Sequence, residues 1–103
     1  MSTRLRPYTV LFPEGYDEQA EFEAPFRGNL GDVIVEIEDG SRHRLSFIDL
    51  ARLEQNLADN ARVGHPYYTE PGLVILQEVS TEAIHLAVQR LWDDGYFRSI
   101  QSR

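Results

Sequence analysis

The stretch from Asp32 to Ile48, DVIVEIEDGSRHRLSFI, constrains the fold more than any other part of the chain. Two runs rich in β-branched and aromatic residues flank Asp39-Gly40, a dipeptide that marks a β-hairpin. Face parity sets the register. A two-residue turn would put Val35 opposite Arg44 and Ile37 opposite Arg42, mixing apolar and charged side chains on one face. A slip of one residue moves every side chain to the other face. A three-residue loop, Glu38-Asp39-Gly40, restores the pattern and places glycine at the left-handed bulge position. Val33 then pairs with Leu45, Val35 with His43, and Glu36 with Arg42 on the wet face. Val33, Val35, Leu45 and Phe47 are expected to be buried, with His43 partly buried beside them.

Other elements follow from the same signals. Tyr8–Phe12 reads as a strand stopped by Pro13-Glu14-Gly15. Glu21-Phe22-Glu23-Ala24 alternates, and Pro25 marks it as an edge strand, Glu21–Phe26. Two helices come next. Asp49 caps the first, with Ile48 and Leu53 as its hydrophobic staple, a stripe of Leu50, Leu53, Leu57 and Ala61, and Gly64 at its end. Ser80 caps the second, with Val79 and Ile84 as the staple and Ile84, Ala87, Val88, Leu91 and Trp92 as the stripe, ended by Gly95. A strand directly precedes each helix, Arg42–Ile48 and Leu73–Val79. The architecture expected is α+β: a small antiparallel or mixed sheet of about four to five strands with two helices packed on one face. Leu53, Leu57, Leu73, Ile75, Ile84, Val88 and Leu91 are its expected core.

With 103 residues, one domain is the natural reading, and a chain of this size folds without a staple. The absence of cysteine removes disulfides, thiol catalysis and thiolate metal sites. No apolar run suits a signal peptide or a membrane span, so a cytoplasmic protein is expected. The net charge is −7, which disfavours nucleic-acid binding, because phosphate contacts need a basic face. Residues 14–39 hold nine acids against Arg27 alone. This segment is either a solubilising surface or a face for a basic partner. All ten basic residues are arginine, as a GC-rich, bacterial-like coding sequence would give.

Few residues point to chemistry. No Gly-x-Ser-x-Gly, phosphate loop or metal-ligand spacing is present among the serines, glycines and the three histidines, so no catalytic residue, cofactor or metal is assigned. Glu82 and His85 share a helix flank but lack further ligands. The loop from His65 to Glu70 is the most suggestive stretch, since Tyr67 and Tyr68 are rigid amphipathic side chains of the kind that bind partners, with His65 and Glu70 within reach. Asp93 and Asp94 oppose the helix dipole at a helix C-terminus. Leu86 stands on the polar side of the second helix.

The leading expectation is a non-catalytic protein-binding module, in the form of an immunity or antitoxin-type inhibitor or an adaptor that docks on a basic protein. Its partner-binding candidates are His65, Tyr67, Tyr68, Glu70, Leu86, Asp93, Asp94 and Glu18. One alternative is a small enzyme or ligand-binding protein using the His65–Glu70 loop. Another is a homo-oligomer formed through the Glu21–Phe26 edge or the Leu86 face.

Overall fold

The structure, a computed structural model, describes residues 7–99. Along the chain run β1 (Tyr8–Leu11), α1 (Glu18–Arg27), β2 (Asn29–Ile37), β3 (Arg42–Asp49), α2 (Leu50–Arg62), β4 (Leu73–Leu76), α3 (Thr81–Asp93) and the single turn α4 (Tyr96–Ser99). The strands form one sheet in the order β1-β2-β3-β4, antiparallel except for the last pair. The molecule is a four-stranded mixed-sheet α+β fold.

The hairpin has the register that parity demands. Val33 faces Leu45, Val35 faces His43 and Glu36 faces Arg42. Ile37 and Ser41 close the three-residue loop through a 2.9 Å bond, and Gly40 stands at φ 94°. Toward the far end of the pair, Gly31 and Asp32 together oppose Ser46, a β-bulge with Asp32 at φ 58°. The bulge returns Leu30 to the buried face opposite Phe47, where parity without it would turn Leu30 outward.

The core lies on that face. Tyr8, Val33, Val35, Leu45 and Phe47 from the sheet meet Val79, Ile84 and Val88 from α3 and its N-terminal staple, Ala24 from α1, and Phe97 from α4. Ser80 caps α3 by accepting from the N–H of Ala83 at 3.1 Å. Trp92 lies 5.6 Å from Tyr8 and 6.3 Å from Phe97, centroid to centroid. Tyr96 and Phe97, just after Gly95, thus fold back onto the α3 stripe.

Two segments depart from the sequence reading. Glu21–Phe26 is not an edge strand but the body of α1. The alternation of Glu21-Phe22-Glu23-Ala24 is outweighed by helix-end chemistry: Asp17 accepts from the N–H of Ala20, and Gly28 takes the left-handed C-cap with its N–H on Ala24. Pro25 sits inside this helix, its fixed φ being compatible with helical backbone. The second departure concerns α2. Its cap is as expected, with Asp49 accepting from Arg52 N–H at 2.8 Å, yet none of its residues is buried. Leu53 is only half-buried, and Leu57 is 42% and Ile75 53% exposed. Of the expected core, Ile84 and Val88 are fully enclosed.

Candidate functional site

The residues nominated from the sequence fall into four separate places, one of them the exposed Leu86 midway along α3 beside Leu76 of β4. In the loop after α2, Tyr68 donates to Glu70 Oε1 at 2.7 Å, while Ser46 Oγ donates to Glu70 Oε2 at 2.9 Å. Both carboxylate oxygens are thus committed to tying the loop onto β3. The bond to Glu70, then burial, push the Tyr68 phenol above its usual pKa, against a weaker opposite pull from Asn56 and Arg52 on α2. Ser46 points to the face opposite the core, and Asn60 Nδ2 of α2 donates to the carbonyl of Tyr67 at 2.9 Å, so the loop and α2 meet on that face. His65 and Tyr67 are exposed at the outer end of the loop, with ring centroids 6.2 Å apart. Among the described residues no hydrogen bond or ion pair joins His65 to Glu70. The loop therefore works as a brace with an exposed His65–Tyr67 tip.

Glu18 and the pair Asp93–Asp94 lie at opposite ends of the sheet. α1 ends where Gly28 accepts from Asp49 N–H at the C-terminal end of β3. Asp93 and Asp94 follow Trp92, which lines a cleft with Asp39 and Ser41 at the hairpin turn. They do not form one patch with Glu18.

That cleft brings together Asp39, Ser41 and His43, a residue set that invites comparison with nucleophilic catalysis. The bonding is wrong for it. Ser41 Oγ donates to Asp39 Oδ1 at 2.7 Å, while His43 Nε2 stands 3.5 Å from the hydroxyl. A triad needs the carboxylate behind the histidine, not on the serine. Asp39 also accepts from the N–H of Ser41, and these two bonds hold its carboxyl below the usual range. The arrangement is that of a side-chain-capped hairpin turn. Among the described residues, no three histidine, aspartate or glutamate side chains form a group able to hold a metal. No helix there is long and apolar enough to cross a membrane.

The most unusual surface is hidden in the sequence by the strand-like alternation of Glu21-Phe22-Glu23-Ala24 within α1. Ala24, with Ala20 beside it, forms the inward side of α1. Four residues apart, Phe22 and Phe26 stand on the opposite side, 71% and 79% exposed, with ring centroids 5.6 Å apart. Helical spacing places Glu18 and Glu21 along one flank of this pair and Gln19 and Glu23 along the other. Glu18, Gln19, Glu21 and Phe22 line one open depression, and Phe26 lines a second with Ala51, Arg52 and Gln55 of α2. The acids elsewhere in residues 14–39 are partly matched. Glu36 faces Arg42 at 3.7 Å, Asp32 faces Arg44 at 3.8 Å, and Glu23 holds Arg27 at 2.9 Å. Asp17 serves as the cap of α1. Glu18 and Glu21 are exposed beside the aromatic pair, Glu14 is exposed in the turn before α1, and none of the three makes an ion pair among the described residues. The signal in the sequence was Asp17 and Gly28 at the two ends of a helix-length segment carrying phenylalanines at i and i+4.

Comparison with known proteins adds no relative: no protein-family model, no curated protein and no solved structure matches the chain.

Proposed function

We propose that this protein is a non-catalytic protein-binding module whose docking face is the outer side of α1. The observation that carries the reading is the Phe22–Phe26 pair, two large aromatic side chains held in water by a well-capped helix and flanked by uncompensated acids. Apolar patches with polar rims mark interaction sites. Phenylalanine in such a pair supplies apolar contact area, while carboxylates at the rim steer a partner of opposite charge and repel acidic ones. The partner is accordingly a protein with an apolar groove bordered by arginine or lysine. An inhibitor of a basic protein and an adaptor within a complex both fit this chemistry.

The test has two arms. A partner is captured with the wild-type chain, and its affinity is then measured by calorimetry against Phe22→Ser/Phe26→Ser and against Glu18→Gln/Glu21→Gln. The serine pair should weaken binding by a hundredfold or more, on the order of the effect of losing a buried aromatic anchor. The glutamine pair should slow association mainly at low salt. A captured partner that binds both variants as well as the wild type, or whose own surface is acidic, overturns the reading.

A further inference from the structure

A second surface lies elsewhere on the molecule and stands apart from the α1 face. β4 ends the sheet, and its one strand partner among the described residues is β3. No described strand pairs with its outer edge, and its sequence, Leu73-Val74-Ile75-Leu76, has no charge to discourage pairing. Apolar side chains flank this edge on both faces of the sheet. On the core face, Leu86 of α3 is 54% exposed and shares a groove of ≈ 420 Å³ with Leu76, Ala83 and Ala87, bordered by Gln77, Glu78 and Arg90. On the other face are the exposed Ile75 and the stripe of α2. Ala51, Arg52 and Gln55 of α2 line a depression with Phe26 and Gly28, so that side of the helix looks toward β2 and α1. At 100° per residue, Leu50 and Leu57 lie on the opposite side of the helix, toward and past β4. This strand edge thus carries exposed leucine or isoleucine above and below it.

The geometry points to a second copy of this chain as the occupant, related by a two-fold axis perpendicular to the sheet that pairs β4 antiparallel with its own copy. Charge selects this occupant over an unrelated one. Glu82, Leu86 and Arg90 are spaced by four along one exposed stripe of α3, and neither Glu82 nor Arg90 makes an ion pair among the described residues. The same two-fold that makes the β4 strands antiparallel makes the two α3 helices antiparallel on one face of the joined sheet. With Leu86 against its own copy at the axis, Arg90 of each chain falls beside Glu82 of the other, twice. A stripe with opposite charges equally spaced about a central leucine is self-complementary in this orientation. Side by side in parallel, the same stripes would set like charges together. The joined sheet has eight strands, and pairing covers an edge that is otherwise a template for aggregation.

The test is sedimentation of the full chain over a wide concentration range. The wild type should dimerise reversibly. Leu86→Glu should sediment as a monomer with an unchanged circular dichroism spectrum and unfolding transition when dilute. Glu82→Arg and Arg90→Glu singly should each raise the dimer dissociation constant by about tenfold or more, because both symmetric contacts become repulsive. The double variant Glu82→Arg/Arg90→Glu should restore the wild-type value, which a merely damaged surface would not do. A wild-type chain that stays monomeric at its highest soluble concentration overturns the inference. So does a dimer indifferent to Leu86→Glu, or a charge swap that fails to restore pairing. Phe22→Ser/Phe26→Ser leaves the expected dimer intact, so failure at either surface is distinguishable from failure at the other.

Discussion

Asp49 donates its backbone N–H to the carbonyl of Gly28 at 2.9 Å, and both oxygens of its carboxylate lie 2.9 Å from where a Cβ on residue 28 would stand. One close approach thus joins the C-cap of α1 to the N-cap of α2. Gly28 is left-handed at φ 76°, and the Asp49 carboxylate that it abuts accepts from Arg52 N–H.

Gly28→Ala therefore strains the backbone and displaces a capping carboxylate together. Left-handed strain and a lost N-cap each cost about 1 kcal/mol, so about 1–3 kcal/mol of stability should be lost. Gly64→Ala is the control. Gly64 is also left-handed at φ 91°, but nothing lies within 4 Å of its missing Cβ. It should lose only the backbone part. Urea midpoints at constant slope measure both.

Gly72 presents the more severe case. A Cβ there would stand 2.2 Å from the carbonyl oxygen of Arg44, backbone that cannot swing aside as a side chain can. Gly72 also accepts from Ser46 N–H at 3.0 Å, the bond that begins the parallel pairing of β4 with β3. Gly72→Ala should cost more than Gly28→Ala and should act on β4 first. Hydrogen exchange of the β4 amides should accelerate ahead of those in β2.

Tyr68 makes stability depend on alkaline pH. Its phenol is held neutral in the folded state, chiefly by donating to Glu70, so its folded pKa lies above its unfolded value near 10. A raised pKa means stability that is fully present below the unfolded pKa and lost as pH rises through the folded one. Thermal unfolding should show this loss above about pH 10. Tyr68→Phe should be less stable than the wild type at neutral pH, having lost the bond, and the gap should narrow as the wild type ionises. A gap that is constant across the alkaline range would count against the bond.

How far the sequence could be read depends on which interactions decide each element. The β2–β3 register follows from parity because one face must be apolar, and the two sides of a hairpin leave few alternatives. The caps at Asp49 and Ser80 are local, so they too were legible. α1 was not, because Glu21-Phe22-Glu23-Ala24 satisfies a period of two while Asp17 and Gly28, each four residues beyond one of its ends, carry the helical signal. In α2 the stripe was legible but its burial was not. Amphipathicity states that Leu50, Leu53 and Leu57 share a side, and it does not say whether this chain's own sheet covers them. The brace of Tyr68, Glu70 and Ser46 spans 24 residues between Ser46 and Glu70. Its residue types were noticed, but no local pattern reveals that pairing.

The contrast between α1 and α3 provides the last test, because both present apolar residues at helical spacing and only one buries them. Ile84 is fully enclosed among Phe47, Val79 and Val88, so Ile84→Ala removes apolar contact and leaves a cavity. Such changes cost about 2–5 kcal/mol. Phe22 is larger, and by residue type alone its loss would cost more. Yet its ring meets little besides Phe26 and water, so Phe22→Ser should change stability by no more than about 0.5 kcal/mol. Serine has a helix propensity close to that of phenylalanine, so the substitution isolates the burial term. Both variants are compared in urea at one protein concentration low enough to keep the chain monomeric. A loss at Phe22 approaching that at Ile84 would mean that the ring is enclosed in solution, and the outer side of α1 would then be core and not a docking face.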